Sequence, residues 1–170
     1  MTNKPVPILF LDLDGTVRHG KDELGRFVNG PGDVVVFPEA VEMMRRWKAG
    51  GGRIVGVSNQ GGIALGHLTM DDCAAAMRRT HELAGELFDR IAWCRHHPHA
   101  PHPEMARCWC RKPSPGLLID AALGLGDVYR GERYPPYTAL MVGDRPEDQE
   151  CARIASIDFQ WAADWRAQAL

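Results

Sequence analysis

The apolar run Ile8-Leu9-Phe10-Leu11 ends in two aspartates one residue apart, and this arrangement restricts the fold more than any other stretch. Four consecutive apolar residues are typical of a strand buried on both faces of a parallel sheet. Residues two apart in a strand point the same way, so Asp12 and Asp14 converge at its carboxyl end before Gly15 breaks the strand. In open α/β sheets ligands bind beyond these ends. We therefore interpret the two carboxylates as a candidate catalytic pair.

The same string has two simpler explanations. Asp-x-Asp-Gly also begins a calcium-binding EF-hand loop, but the remaining ligand positions are absent and a strand pattern precedes the motif. A strand that merely ends in a polar turn is also compatible with these residues, and on the motif alone it explains them as well as a catalytic site does. Polar partners elsewhere in the chain have to decide between the two.

Strand and helix patterns alternate along the chain, which favours an α/β fold: a Rossmann-like parallel sheet with helices on both faces. A polar, glycine-rich loop is predicted over residues 16–32 and an irregular connection over residues 127–137. No internal repeat, low-complexity segment or linker divides the sequence, so we expect one domain over residues 1–170. Further strands are predicted at 34–37, 53–57, 90–93, 139–142 and 159–162, and helices over 38–49, 70–87, 115–124 and 146–155.

Composition limits the classes of partner. A chain of 170 residues with 45% hydrophobic and 25% charged residues suits one globular domain with a sizeable core. The net charge of −2 argues against nucleic-acid binding by bulk charge, although it is compatible with a local basic groove. No apolar run approaches the length of a membrane span and the first residues lack a signal-peptide pattern, so we expect a cytoplasmic protein without membrane contact. The sequence sets no oligomeric state, and a monomer is compatible with it.

Polar residues gather where the predicted strands end. Each has an ordinary explanation, because Ser58 suits a turn, Lys112 a surface charge and Asp144 a helix cap. Their joint occurrence favours a shared site instead. The residues are Asp12 and Asp14 after the strand at 8–11, Ser58 and Asn59 after the strand at 53–57, Lys112 before the helix at Pro115, and Asp144 and Asp148 after the strand at 139–142.

Two pairs of metal-binding residue types lie in an irregular loop over residues 94–110. Cys94-x-His96 and Cys108-x-Cys110 have the spacing of a tetrahedral zinc site, and four protein ligands would make that zinc structural. The chain holds five cysteines without an export signal, which favours thiols and metal over disulfides. Cys73 has helical spacing and is predicted to be a core residue. Alternative imidazole ligands in the same loop are His97, His99 and His102.

In chain order the polar motifs resemble the four sequence motifs of the haloacid dehalogenase superfamily of phosphatases, over nearly the whole chain. Further strings resemble the branch that holds the D-glycero-D-manno-heptose 1,7-bisphosphate phosphatases and the histidinol-phosphate phosphatases. The superfamily motifs are Asp12-Leu13-Asp14-Gly15-Thr16, Ser58, Lys112, and Gly143-Asp144 with Asp148; the branch strings are Asn59-Gln60-x-Gly62-Ile63-Ala64-x-Gly66, Cys94-x-His96-His97-Pro98 and Cys108-x-Cys110-Arg111-Lys112-Pro113-x-Pro115-Gly116.

This resemblance implies a Mg²⁺-dependent phosphomonoester hydrolase without a large cap domain, acting on a small sugar phosphate such as heptose bisphosphate. It implies that Asp12 is the nucleophile that forms an aspartyl-phosphate, and that Asp14 protonates the leaving oxygen and then deprotonates water. Ser58 and Lys112 would hold the phosphoryl oxygens.

The resemblance also implies the metal ligands and the residues that recognise substrate. Asp12 and Asp144 would bind Mg²⁺ together with the Asp14 backbone carbonyl, and Asp148 would orient a metal-bound water or Lys112 from behind the ligands. The zinc ligands would be Cys94, His96, Cys108 and Cys110. Asn59, Arg111 and Arg145 are the predicted substrate-binding residues. Because Cys110 directly precedes Arg111, we hypothesise that the zinc loop fixes the approach of Arg111 and Lys112 to the phosphate.

Other functions remain open at this level. Residues 17–22 and Leu65 depart from the pattern of the branch where substrate would be recognised. Besides histidinol phosphate, a polynucleotide 3′-phosphatase shares the first two motifs and would need a basic, aromatic strand path. A zinc-stabilised binding module is the non-enzyme alternative, and it predicts the loss of a motif carboxylate, yet all are present. The candidates for a strand path are Arg18, Lys21, Arg26 and Trp109.

Overall fold

The computed structural model describes residues 6–22, 27–125 and 138–170. Arg26 and the predicted irregular connection over residues 127–137 lie outside the described residues. In chain order the elements are β1 (Ile8–Leu11), β2 (Arg18–His19), β3 (Val35–Val36), α1 (Pro38–Ala49), β4 (Arg53–Asn59), α2 (Met70–Leu83), β5 (Arg90–Cys94), α3 (Gly116–Leu123), β6 (Ala139–Gly143), α4 (Pro146–Ala155), β7 (Asp158–Trp161) and α5 (Ala162–Ala167), with 3₁₀ turns at Pro31–Asp33 and Pro103–Met105.

Five strands form one parallel sheet in the order β5-β4-β1-β6-β7, with β1 at its centre. Leu11 lies opposite Gly56 of β4 and Val142 of β6, so the three strands that carry the polar motifs end at the same edge. All four residues of β1 are fully buried, as an apolar strand between two layers of helices requires. The predicted α/β fold with a parallel sheet is confirmed.

Helices cover both faces of the sheet, and the alternating side chains of β1 divide the core between them. Leu9 and Leu11 pack in one hydrophobic cluster with side chains of α1, α2 and α5, including Met44 and Trp165. Ile8 and Phe10 lie in a second cluster formed with α3 and α4. The period of two along the strand thus assigns successive residues to opposite layers. That residues 1–170 form one domain stays a prediction.

The connection between β1 and α1 is small. Its described part holds only the antiparallel β2–β3 pair and one 3₁₀ turn, so no large cap domain occurs among the residues that the structure describes. The longest helix, α2, has 14 residues. None of the described helices has the length and apolar character needed to cross a membrane.

Many element boundaries differ from the predicted ones by one or two residues, and the largest difference is at the end of α2. Helix α2 begins after Thr69, as predicted, and the Thr69 hydroxyl accepts from the Asp72 amide at 3.0 Å. It ends at Leu83 and not at residue 87, because Gly85 takes a left-handed φ of 73°. Leu87 therefore lies beyond the helix. The last strand ends at Trp161, and the unpredicted helix α5 follows at once. Helix α3 begins at Gly116, one residue later than predicted, and its N-cap residue Pro115 makes no side-chain capping bond.

Candidate active site

A cavity of about 380 Å³ opens at the carboxyl ends of β1 and β4. The structure brings all the predicted catalytic and substrate-binding residues to its wall. Asp144 lies beside it and faces a second cavity, but a carboxylate oxygen of Asp144 is within 4.8 Å of oxygens of Asp12 and Asp148. The predicted residues that line the first cavity are Asp12, Asp14, Ser58, Asn59, Arg111, Lys112, Arg145 and Asp148.

Lys112 is a buried cation held between two carboxylates. Its Nζ lies 2.6 Å from Asp12 Oδ1 and 2.6 Å from Asp148 Oδ1, and it donates to the Val57 carbonyl at 2.9 Å. Burial acts to lower the pKa of Lys112, but the attraction of Asp12 and Asp148 outweighs it and leaves the pKa raised. The ammonium therefore stays charged at the end of β1.

Two hydrogen bonds with Asn59 hold the backbone of Lys112. The Asn59 side chain donates to the Lys112 carbonyl at 2.9 Å and accepts from the Lys112 amide at 3.0 Å. Asn59 is the last residue of β4, so the strand itself positions the loop that carries the lysine. This contact supplies a positioning role for Asn59, whose predicted contact with substrate stays a prediction.

Asp14 has a different set of partners from Asp12. Gln60 Nε2 donates to Asp14 Oδ2 at 2.7 Å and to Ser58 Oγ at 2.8 Å, and Ser58 Oγ lies 3.5 Å from the same carboxylate oxygen. Arg18, which is fully buried, donates to both oxygens of Asp14 at 2.9 and 3.3 Å. The two aspartates of the first motif are thus held by separate groups.

The carboxylate cluster is short of positive charge. Burial raises the pKa of Asp12 to about 7, although Lys112 acts in the opposite direction. Burial and the neighbouring Asp148 also raise the pKa of Asp144, and Asp144 Oδ1 is buried without a hydrogen-bond partner among the described residues. Three carboxylates, of Asp12, Asp144 and Asp148, whose oxygens lie within 4.8 Å of one another are the donor set of a hard, oxygen-binding cation. The residues present therefore fit Mg²⁺.

Gly15 permits the close approach of Asp144 to the first motif. Its φ of 90° lies in the left-handed region, and a Cβ at this position would overlap the Asp144 carboxylate. Arg166 of α5 fixes the same turn from outside, because its Nη1 donates to the carbonyls of Gly15 and Thr16 at 2.9 and 2.7 Å. The loop after Asp14 is therefore held from both sides.

Cys94, His96, Cys108 and Cys110 come together in a second cluster. Their closest ligand atoms are separated by 3.3 to 3.6 Å. Zinc bonded tetrahedrally at about 2.3 Å to sulfur and about 2.0–2.1 Å to nitrogen sets its ligand atoms roughly 3.5–3.8 Å apart. The cluster thus fits a four-coordinate zinc ion. Burial raises the pKa of the Cys94 and Cys110 thiols, and a bound divalent cation would displace their protons.

The cysteine and histidine cluster is joined to the cavity. Arg111 Nη1 donates to the His96 carbonyl at 2.9 Å, so a backbone atom of a cluster residue orients a guanidinium that lines the cavity. His97, one of the alternative ligands, lines the cavity instead. At the outer rim, the Arg145 guanidinium stacks over the exposed Phe27 ring at 4.9 Å.

Relatives named as heptose-bisphosphate phosphatases identify the family. No family model matches the chain. The D-glycero-D-manno-heptose-1,7-bisphosphate 7-phosphatase of Chlorobaculum tepidum is 34% identical over 154 residues, covering 88% of this chain and 75% of the relative. The D-glycero-beta-D-manno-heptose-1,7-bisphosphate 7-phosphatase of Escherichia coli K12 is 34% identical over 163 residues, covering 91% and 77%. This chain belongs to the heptose-bisphosphate phosphatase branch of the haloacid dehalogenase superfamily.

A solved structure supports the same placement of this haloacid dehalogenase phosphatase. The D,D-heptose 1,7-bisphosphate phosphatase from B. bronchiseptica, complexed with magnesium and phosphate, has 25% sequence identity to the chain. It superposes with a TM-score of 0.71 over 96% of this chain and 87% of its own. The predicted superfamily and the predicted enzyme class are confirmed.

Sequence reasoning missed three residues of this phosphatase site. Gln60 appeared only as part of a family string, and Phe27 had no signal because a lone aromatic residue in a polar loop suits many environments. Arg18 is one of the four candidates for the strand path that the polynucleotide 3′-phosphatase alternative needs, and its full burial makes it unsuitable for that path. A charged residue six positions after the first aspartate reads as solvated, since buried arginines are rare.

Proposed function

We propose that this phosphatase hydrolyses a phosphomonoester of a small sugar, with heptose 1,7-bisphosphate as the first candidate, through an aspartyl-phosphate on Asp12. One observation carries the mechanism. Two carboxylates two residues apart have different partners, Lys112 for Asp12 and the Arg18–Gln60 pair for Asp14. A pair of acidic groups in unequal environments is the usual basis for dividing nucleophile and acid–base roles.

In the first half-reaction Asp12 attacks phosphorus, and the bond from phosphorus to the leaving oxygen breaks as Asp14 donates a proton to that oxygen. In the second half-reaction the oxygen of a water attacks phosphorus, the bond to Asp12 breaks, and the water proton passes to Asp14. Lys112 and Ser58 hold the transferring phosphoryl oxygens. The position of Lys112 Nζ 2.6 Å from Asp12 Oδ1 supports this role, because the phosphoryl group would develop its charge there.

Two metals complete the proposal. Asp12 and Asp144 would bind Mg²⁺ with the Asp14 backbone carbonyl, and the cation would offset the repulsion between the carboxylates and the phosphate. Asp148 orients Lys112 from behind. Zinc would be held by Cys94, His96, Cys108 and Cys110 and would stabilise the loop that presents Arg111 and Lys112.

The wall of the cavity supports a small anionic substrate. Arg111 and Arg145 line it beyond the carboxylates, so a second phosphate or a sugar hydroxyl would meet guanidinium groups. Asn59 reaches the same wall. The relatives whose names specify a heptose bisphosphate share 34% of aligned residues with this chain. With Arg18 buried, one candidate for a nucleic-acid strand path is removed.

A panel of substrates tests the proposal. Heptose 1,7-bisphosphate, histidinol phosphate and a 3′-phosphorylated oligonucleotide are incubated with the enzyme and Mg²⁺, and phosphate release is measured. We expect the highest kcat/KM for heptose bisphosphate and no release by Asp12→Asn, with the exposed Asp158→Asn as the matched control. A steep preference for the oligonucleotide, or full activity of Asp12→Asn, would contradict the proposal.

A further inference from the structure

We propose that Arg18 is a positioning residue for Asp14, which it fixes against helix α2 so that the carboxyl group can serve both proton transfers. This inference rests on the proposed function. It begins from burial, because Arg18 has no exposed surface and is the largest fully buried side chain among the described residues. A charged group this deep needs a partner for each polar atom, and here every guanidinium nitrogen has one.

Two of the three nitrogens bind Asp14. Nε donates to Oδ1 at 2.9 Å and Nη2 to Oδ2 at 3.3 Å, the parallel arrangement in which a planar guanidinium fixes both the position and the plane of a carboxylate. The intervening turn makes this possible, since the Leu13 carbonyl accepts from the amides of residues 16, 17 and 18. The chain thereby folds back and directs Arg18 at the residue four positions before it.

The third nitrogen connects the pair to helix α2. Nη1 donates to Thr80 Oγ1 at 2.8 Å and to the Ala76 carbonyl at 3.3 Å, and the Thr80 hydroxyl itself donates to the Ala76 carbonyl at 2.7 Å. Thr80 is also fully buried. A packed helix moves little. Because the Arg18 guanidinium is bonded to α2, it holds the Asp14 carboxylate in one position.

Asp14 meets the cavity on its other side, where it has the Gln60 amide and Ser58 as neighbours. A general acid must come within hydrogen-bond reach of the leaving oxygen, and a displacement of about 1 Å costs on the order of 100-fold in rate. Arg18 itself exchanges no proton in either half-reaction. It keeps its charge while the proton moves from Asp14 to the leaving oxygen and, later, from water to Asp14.

Leaving-group dependence separates positioning from a merely structural role. An alkyl phosphate needs the proton from Asp14 when its bond breaks, whereas the leaving group of an aryl phosphate such as p-nitrophenyl phosphate departs without one. We expect Arg18→Met to lower kcat/KM, which reports the first half-reaction, by about 100-fold on an alkyl phosphate and by less than about 10-fold on the aryl phosphate. With the aryl substrate, acid-quenched enzyme should also contain more aspartyl-phosphate than wild type, because the attack of water is slowed.

Variants of Thr80 test the same point with less risk to folding. Thr80→Val removes the hydroxyl that anchors Arg18, and we expect it to shift the alkyl-to-aryl ratio of kcat/KM in the same direction by a smaller factor. Thr80→Ser, which keeps the hydroxyl, should restore the wild-type ratio. Equal losses on both substrates, or an unchanged ratio in Thr80→Val, would overturn the inference. Failure of the proposed function would look different, since wild type would then release no phosphate from either substrate in an Asp12-dependent way.

Discussion

Asn59 and Lys112 share two reciprocal hydrogen bonds, in which the side-chain amide of one residue pairs with the backbone of the other. The pair joins the end of β4 to a loop 53 residues later in the sequence. Because both backbone groups of Lys112 are engaged, its side chain leaves the loop in one direction and reaches Asp12. A residue predicted to contact substrate thereby positions the lysine that faces Asp12, the proposed nucleophile.

Asn59→Ala should lower kcat more than it changes KM. Loss of both hydrogen bonds frees the Lys112 backbone, and we expect a loss of about 1–3 kcal/mol in the free energy of unfolding because buried polar groups stay unpaired. Asn59→Asp retains the acceptor, so its kcat and its free energy of unfolding should lie between those of wild type and Asn59→Ala. Steady-state kinetics and urea unfolding measure the effects. A kcat equal to that of wild type in Asn59→Ala would contradict the positioning role.

Lys112→Met should destabilise the fold as well as abolish turnover. It leaves Asp12 and Asp148 buried without their shared cation, and removal of one partner from a buried ion pair costs about 3–5 kcal/mol. Adding Asp148→Asn removes one uncompensated charge, so the double variant should recover part of the free energy of unfolding without recovering activity. Chemical denaturation of the two single variants and the double variant forms the cycle. Strictly additive losses would show that the charges do not interact.

The raised pKa of Asp12 predicts a specific pH dependence of the free energy of unfolding in Mg²⁺-free buffer. Its pKa is about 7 in the folded protein against an ordinary value of 3.8, so the folded state binds the proton more tightly. The contribution of Asp12 to stability is complete below pH 3.8 and is lost as the pH rises through about 7. We expect the gain in unfolding free energy from Asp12→Asn to increase over this range. A gain that does not vary with pH would be inconsistent with the raised pKa.

Mg²⁺ should favour the ionised form of Asp12, whereas burial favours the protonated form. A cation binds the ionised carboxylate, so the increase in Tm produced by Mg²⁺ in wild type should be larger at neutral than at acidic pH. Asp12→Asn removes one proposed ligand and should show a smaller increase at each pH. Thermal scans with and without Mg²⁺ make the comparison.

Gly15→Ala tests the approach of Asp144 separately from backbone strain. Gly51 is a matched control, because its φ of 82° is similar to that of Gly15 but a Cβ there meets nothing within 4 Å. Both alanine variants should lose about 1–3 kcal/mol for a left-handed non-glycine residue. Only Gly15→Ala should also weaken Mg²⁺-dependent activity, by displacing the Asp144 carboxylate. Equal kinetics in the two variants would argue against that displacement.

Zinc removal should reduce turnover with Mg²⁺ present throughout. We expect Cys108→Ser to contain no zinc and to lose activity, since the His96 carbonyl would no longer fix Arg111. Cys151 is a buried cysteine outside the cluster, so Cys151→Ala should retain one zinc ion per chain. Elemental analysis and steady-state kinetics provide the readouts. Undiminished turnover of zinc-free enzyme would contradict the link between the two sites.

Much of the site could be predicted because its residues follow strand ends. Asp12, Ser58 and Asp144 come directly after apolar runs, and parallel strands bring such positions to one edge whatever lies between them. The spacing of the cysteines and His96 predicted their cluster for a similar reason, since two pairs of ligands in one loop come together when that loop closes. In both cases local patterns were sufficient.

The contacts of Arg18 could not be predicted in this way. Its partners Asp14 and Thr80 lie on a turn and on a helix 62 residues away, and no local pattern distinguishes a buried arginine from a solvated one. Helix α5 was missed because six residues hold less than two turns, too few for an apolar period. Its burial depends on Trp165 meeting a surface that other segments build.

The bonds from Arg166 to the Gly15 and Thr16 carbonyls have a consequence for the order of events during synthesis. The first motif is translated early, yet the donor that holds its turn lies about 150 residues later. Both edges of strand β1 can likewise be paired only after residues 139–142 have been synthesised. A nascent chain on the ribosome therefore carries Asp12, the proposed nucleophile, long before that residue has a finished environment, and we expect phosphatase activity only after helix α5 has emerged.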